Sequence, residues 1–244
     1  MVSDDSSWEG KAHIERLVPV NLVDQVREEL LRLILSGAYS AHERLPEAPI
    51  ARQLGVSRGP VREAARQLEK RGLLRFQPRR GFFIKRYELA DVEGLYQYRE
   101  CIQIAAARLA VIKMTSADIK DLKARADEAY AATDLAELDL LDLIFNFHRV
   151  IFTASGNGRF LQAYDDLVWE LRQVHAAVNA RDDPAATREF FSAYAPAIIA
   201  AFEERDADAV EQSIKQYLQV SLSDVARLLE ISQSEGGDAR VTAR

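Results

Sequence analysis

The sequence predicts a mainly α-helical chain in two parts: a small N-terminal helical unit closed by a two-stranded hairpin, then an antiparallel helical bundle. Three observations carry this expectation. Apolar residues recur at helical spacing through most of the chain. The period changes at Leu73-Leu74-Arg75-Phe76 and Gly81-Phe82-Phe83-Ile84, which read as two short strands joined by the turn Gln77-Pro78-Arg79-Arg80-Gly81. Charge is also divided. From Arg44 to Arg86 there are twelve Lys and Arg against three Asp and Glu, a net +9, in a chain whose net charge is −6, so the remainder carries −15. A basic module on an acidic body is the pattern of a polyanion-binding protein.

The first helix is expected over Asn21 to Leu35, with Leu22, Val26, Leu30, Leu33 and Ile34 inward and Gly37 as a stop. Glu47 to Leu54 reads as a short second helix, with Pro49 in its first turn and Ile50 and Leu54 inward. Gly55 supplies a sharp turn into a third helix, for which Ser57 is the expected cap, its hydroxyl satisfying a first-turn amide. Pro60 falls in that first turn, where its missing N–H costs little. Val61, Ala65 and Leu68 form an apolar stripe, and Arg58, Arg62 and Arg66 form a basic one beside it. This is helix-turn-helix spacing. A helix with one face in a small core and arginines on another suits a DNA groove, since the arginine fork can bond guanine O6 and N7 together. The two strands then form a wing with Arg79 and Arg80 at its tip.

These residues resemble a known family. Leu45-Pro46-Glu47, the run Ile50 to Arg58, Pro60-Val61-Arg62-Glu63-Ala64, Leu68-Glu69 and Arg71-Gly72-Leu73-Leu74 are similar, in order and spacing, to the winged helix-turn-helix of GntR-family bacterial regulators. The resemblance covers roughly residues 20 to 86. It implies that Arg58 and Arg62 reach guanine edges, that Gly81 sits at the minor groove, and that Gly59 and Pro60 occupy phosphate-contact positions. Some members carry an arginine early in the second helix where this chain has Ala48, so an operator sequence does not transfer from a relative.

At 244 residues the chain accommodates two domains. The expected division is a disordered arm at 1–18, the DNA-binding unit at 19–87, a helical effector and dimerisation unit at 88–233, and a disordered tail at 234–244. No run of eighteen apolar residues reads as a membrane span, and the acidic, polar N-terminus does not read as a secretory signal. The single cysteine, Cys101, falls in an apolar helical pattern and is expected as a buried thiol. A reducing cytoplasm fits these features.

In the second unit, Leu89 to Met114 reads as a long amphipathic helix with Val92, Leu95, Tyr96, Ile102, Ala106 and Leu109 inward. Ser116 is the expected cap of a helix ending near Thr133. Leu135 to Ser155 is the next, stopped at Gly156-Asn157, and Arg159 to Asn179 follows with Phe160, Leu167, Val168, Leu171 and Val174. Asp182-Asp183-Pro184 breaks the chain. A further helix, capped by Ser192 with Pro196 in its first turn, ends near Glu204. The last spans Asp206 to Ile231 with Val210, Ile214, Tyr217, Leu218 and Leu222. Helices of about 20 residues joined by short loops imply a bundle.

Arg99, Phe147-His148 and Ala154-Ser155-Gly156-Asn157 in this order resemble the FCD effector domain of the FadR subfamily. Many such domains hold a divalent ion through an Asp and a His four residues apart on the third helix of the bundle, plus one His on each of the last two helices. Here His148 stands, but the other positions fall on Ile144, Ala195 and Tyr217, and the Glu that usually follows the first-helix Arg by four is Gln103. Asp142, six residues before His148, is on a different face. A transition-metal site needs three or four convergent donors, so no metal and no cofactor is expected.

A bundle core can still hold a small molecule. Arg99, Gln103, Asn146, His148, Arg172 and Tyr217 are the candidate polar groups of such a cavity, Arg99 being the natural anchor for a carboxylate. Trp169, Phe145, Phe147 and Phe152 are expected in core packing, and His13, His42 and His175 carry no signal. A Gly-rich phosphate loop, a nucleophile elbow and a zinc-protease pattern are absent, so no enzymatic role is expected. The candidate DNA-contacting residues are Ser57, Arg58, Gly59, Pro60, Arg62, Arg66, Arg79, Arg80 and Gly81. The function expected is that of a homodimeric regulator, a repressor, that reads a palindromic operator in double-stranded DNA and senses a small organic acid or acyl-type metabolite. The alternative is a DNA-binding protein whose bundle only dimerises.

Overall fold

A computed structural model describes residues 22–35, 38–39, 41–178 and 183–241, the stretch 233–241 by its backbone alone. The expected arm at 1–18, Asn21 and Gly37 lie outside the described residues. The N-terminal unit comprises α1 (Leu22–Leu35), α2 (Glu47–Gln53), α3 (Arg58–Lys70), β1 (Leu74–Gln77) and β2 (Gly81–Ile84). The strands pair antiparallel with Leu74 opposite Ile84 and Gln77 opposite Gly81. The apolar stripe of α3 drives this assembly. Val61, Ala64, Ala65 and Leu68 are fully buried against Leu30 of α1, Leu73 and Phe82. Full burial of a leucine- or phenylalanine-sized side chain contributes about 1.5–3 kcal/mol.

The bundle comprises α4 (Leu89–Lys113), α5 (Ser116–Ala131), α6 (Glu137–Ala154), α7 (Gly158–Val178), α8 (Pro184–Glu203) and α9 (Ala207–Val241). Its core falls into two clusters. One gathers α4, α5, α6, α8 and α9 around Phe147, Phe191, Ile198 and Ile214. The other gathers α4, α6, α7 and α9 around Tyr96, Phe152, Tyr164 and Leu171. Helices α4, α6 and α9 contribute to both, so the space between the clusters is framed by these three.

Several boundaries differ from the expectation, each for a local reason. Ser57 stands at the N-cap of α3 with extended backbone, but its hydroxyl makes no capping bond. Thr115, not Ser116, caps α5. Its hydroxyl accepts from the Asp118 amide while the Asp118 carboxylate accepts from the Thr115 amide, a capping box. Asp182 lies outside the described residues, and Asp183-Pro184, expected as part of a break, starts a helix. Asp183 caps α8 through the Ala186 amide, and Pro184 takes the first helical position. Ser192 and Pro196 are therefore interior to α8, and the packing of Phe191, Ala195, Ile198 and Phe202 offsets the bond that Pro196 forfeits.

Helix α9 continues to Val241, ten residues past the expected end, so the supposed disordered tail is helical from 234 to 241. No proline interrupts it, and Gly236-Gly237 costs about 1 kcal/mol per residue without forbidding the helix. Cys101 is exposed rather than buried. It lies on the outer face of α4 with Gln97, Tyr98 and Arg108, while Arg99, Ile102 and Gln103 turn inward. Among the described residues no helix is long and apolar enough to cross a membrane.

Candidate functional site

Two regions carry chemistry. The first is the basic face of the N-terminal unit. Arg58, Arg62 and Arg66 are all exposed along α3, and Ser57 and Gly59 are exposed at its start. With Ser57 making no cap bond and Pro60 lacking an N–H, the Arg58 and Gly59 amides point out of the helix with no intrahelical partner. A helix N-terminus with free amides and two nearby guanidinium groups is a phosphate-accepting surface. In the wing, Arg79 turns with φ +63° and Arg80 lies over the Phe83 ring at 5.2 Å, and both are exposed. Gly81 has φ +97°, and a Cβ there would stand 3.1 Å from Glu47 Oε1, so this turn demands glycine. The candidate DNA-contacting residues are thus exposed or half-buried except for Gly81, which is buried and shapes the wing rather than facing outward. Pro60 is half-buried at the same helix end.

The second region is a cavity of about 250 Å³ where the two bundle clusters meet. Arg99 from α4 reaches it and is only 1% exposed. Its Nε donates to Gln103 Oε1 at 3.2 Å, and its guanidinium lies 5.7–6.0 Å from the ring centres of Tyr96, Phe145 and Tyr217. The guanidinium also hydrogen-bonds the Tyr217 side chain, while among the described residues no carboxylate pairs with it and its Nη2 has no hydrogen-bond partner. Gln103 Nε2 meets His148 Nδ1 at 3.0 Å, and His148 Nε2 is buried without a partner. Burial, and then the Arg99 charge, holds the His148 pKa well below the ordinary histidine value, so the ring is neutral. Arg99, Gln103, His148 and Tyr217 are therefore brought together, with the His148 and Tyr217 rings 4.8 Å apart.

The other two candidates are not brought to this cavity. Asn146 is exposed, because it turns away from the face of α6 that buries Ile144, Phe145 and His148. Arg172 points to the side and pairs with Asp142 at 2.9 Å while lying over Trp169. Residues that sequence periodicity did not single out line the cavity instead: Glu137, His175, Asp183, Thr187, Ser221 and Asp224. His175 carries the one signal that could have found it, a histidine one residue past the buried Val174 on α7. Burial and the Arg99 charge push its pKa down to about 4.

The positions of the family's metal set do converge, since Ile144, Ala195 and Tyr217 share one core cluster and Tyr217 touches His148. They present one imidazole, one phenol and two hydrocarbons. This donor set does not fit a divalent transition metal, and no group of three or more His, Cys, Asp or Glu among the described residues is arranged to hold one.

Helix α7 joins the two regions. Gln173 Nε2 donates to the Leu73 carbonyl at 2.9 Å, and its Oε1 accepts from the Tyr87 hydroxyl at 3.0 Å. Lys85 pairs with Glu170 at 3.4 Å, and Arg71 lies 5.7 Å over Trp169. Trp169 thus packs on the N-terminal unit and not in the bundle core. Gly72 has φ +77°, and a Cβ there would stand 2.6 Å from Glu170 Oε2. One helix therefore touches the cavity through His175 and the winged unit through Trp169, Glu170 and Gln173.

Comparison with known proteins identifies this pairing. Residues 22–84 match the bacterial regulatory proteins of the gntR family, and residues 94–220 match the FCD domain. The chain belongs to the GntR family. It is a DNA-binding transcriptional regulator with an FCD domain, a domain that generally binds effector ligands. The regulator is 27% identical to the HTH-type transcriptional repressor RspR of Escherichia coli strain K12 over 219 residues, 89% of this chain and 93% of that one. It is 30% identical to the HTH-type regulator YdhC of Bacillus subtilis over 149 residues, 59% of this chain and 66% of the relative. Among solved structures, Escherichia coli McbR/YncC shares its fold with a TM-score of 0.72 at 22% identity, over 85% of this chain and 98% of that one.

Proposed function

We propose that the regulator is a homodimeric repressor whose bundle senses a small carboxylate without a metal. In this reading residues 19–87 bind DNA and residues 88–233 dimerise and sense. Arg58 and Arg62 read base edges in the major groove and Arg66 supports them, while Ser57, Gly59 and Pro60 meet phosphate. Arg79 and Arg80 enter or flank the minor groove at the turn set by Gly81. Paired recognition helices meet paired half-sites, hence a palindromic operator. The name of RspR and its identity over most of both chains support repression. The reading assigns the protein to the cytoplasm and gives it no catalytic step.

The observation that carries the effector is Arg99. A buried cation is costly unless paired, and this one opens on a cavity with a free Nη2 and no carboxylate partner among the described residues. A ligand carboxylate would complete it with a bidentate, charge-assisted pair. Ligand at Arg99 shifts Phe145, Tyr217 and His175. Helix α7 passes the shift through Gln173 and Glu170 to Leu73 and Lys85, re-orienting the winged unit. By linkage, DNA then weakens the ligand by the same factor.

The test is operator binding by fluorescence anisotropy with and without a panel of small carboxylates and acyl-type metabolites. The proposal expects at least one to weaken DNA binding five-fold or more in the wild type and not in Arg99→Met. A panel that binds nowhere and leaves DNA affinity unchanged would leave the bundle as a dimerisation module.

A further inference from the structure

We infer that the outer face of the wing, and not its tip alone, grips DNA, with Arg44 and Arg75 taking backbone phosphates; the inference rests on DNA binding by the winged unit. The wing is wider than β1 and β2. The segment ahead of α2 lies along β2 as a third strand. The Leu45 amide donates to the Phe82 carbonyl and the Ile84 amide to the Glu43 carbonyl, both at 2.9 Å, which sets Arg44 opposite Phe83. Across the other edge of β2, Phe83 stands opposite Arg75. Residues directly opposite in antiparallel strands share a face, and neighbours along a strand alternate. Leu45, Leu74, Phe82 and Ile84 are buried against the helices. Arg44, Phe83 and Arg75 therefore form one row across the opposite side of the sheet.

Arg44, Arg75 and Arg80 are all exposed, and among the described residues none of them pairs with a carboxylate, whereas Arg86 just past β2 pairs with Glu88. Two of the three are held against the sheet. Arg44 Nε and Nη2 lie 3.6 and 3.7 Å from where a Cβ on Gly81 would stand, so this guanidinium covers the wing turn. Arg80 lies 5.2 Å over the Phe83 ring. Side chains held in this way lose less rotamer freedom on contact. Glu47 shares the turn with Arg44, but it is only 8% exposed and does not present its charge to solvent. Three strands about 4.8 Å apart span about 10 Å before side chains are added, and a minor groove is about 6 Å wide. The turn can enter such a groove and the sheet cannot. Its arginines therefore meet the phosphates at the groove's edge and read no base.

The test is the salt dependence of binding to a labelled mixed-sequence DNA duplex, read by fluorescence anisotropy with the full chain. Each phosphate neutralised contributes about 0.9 to the slope of log K against log salt. The double variant Arg44→Gln/Arg75→Gln should lower that slope by about 1–2 and weaken binding about ten-fold or more near 0.1 M salt. Both side chains are exposed, so the variant should keep the wild-type unfolding midpoint. Arg44→Lys/Arg75→Lys should restore the slope, because a phosphate accepts a point charge. In selection of bound fragments, the glutamine variant should keep the wild-type base preferences. An unchanged slope and affinity overturns the inference, and so does a lysine variant that loses as much as the glutamine one. A changed base preference also overturns it, since these arginines would then be reading bases. If the wild type selects no motif but the slope falls as expected, base reading by α3 fails and the wing face stands.

Discussion

Replacing Arg99 by methionine separates a ligand anchor from a structural keystone. In the free protein the guanidinium is desolvated, a cost of several kcal/mol that survives relaxation. Against this stand charged hydrogen bonds to Gln103 and Tyr217, about 1.5 kcal/mol each, and three aromatic rings at 5.7–6.0 Å, about 1 kcal/mol each. These nearly cancel, and methionine fills much of the vacated volume with apolar surface. The expected change in unfolding free energy is within about 2 kcal/mol of zero. Breaking a buried ion pair would cost about 3–5 kcal/mol. Urea unfolding at fixed protein concentration measures this, and thermal shift with a binding carboxylate measures the second half. A ligand at a hundred times its Kd stabilises by about 2.7 kcal/mol, and the variant should show none of it. A loss above about 3 kcal/mol without ligand, or a retained ligand shift, would show that Arg99 is a structural residue and not the ligand anchor.

Three further outcomes are expected. His148 and His175 have folded-state pKa values below the ordinary 6.5, the latter about 4. The unfolded chain therefore takes up protons first as pH falls. Their contribution to stability is full above pH 6.5 and is lost below it, at up to about 1.4 kcal/mol per pH unit for each. Unfolding curves between pH 7.5 and 4.5 should flatten in His175→Gln, and an unchanged slope would count against its burial. Gly72→Ala forces a left-handed alanine against Glu170 and should cost about 1–2 kcal/mol. In a Trp8→Phe background it should also change Trp169 emission, since Trp169 sits at that seam; unaltered emission would mean the seam does not feel Gly72. Elemental analysis of the purified protein should find no stoichiometric Zn, Ni or Mn, and about one ion per subunit would contradict the donor set at His148, Ile144, Ala195 and Tyr217.

The DNA-facing surface was legible in the sequence because its information is local. A three-turn stripe of Arg58, Arg62 and Arg66 beside Val61, Ala65 and Leu68 fixes both faces of one helix. The wing needed only two strands and a turn. The cavity was legible in part. Arg99, Gln103, His148 and Tyr217 lie on three helices, and a family resemblance tied them together. Asn146 failed because it was chosen for polarity near His148, although two residues along a helix is the opposite face. Arg172 failed because its partner, Asp142, lies on another helix. Asp183 and Pro184 read as a break, since a cap and a helix start use the same residues as a turn. The α7 seam was invisible for the same reason: Gln173 and Trp169 look like ordinary helical positions until the winged unit is set against them.

Sequence-specific, two-fold-symmetric DNA reading by α3 is the central property proposed for this regulator. Selection of bound fragments from sheared genomic DNA by the purified protein measures it. A short inverted repeat should be enriched. Arg62→Ala should lose about 1–3 kcal/mol on that repeat and relax preference at one base position in each half-site. No enriched motif, or an Arg62→Ala profile identical to the wild type at every base, would contradict it.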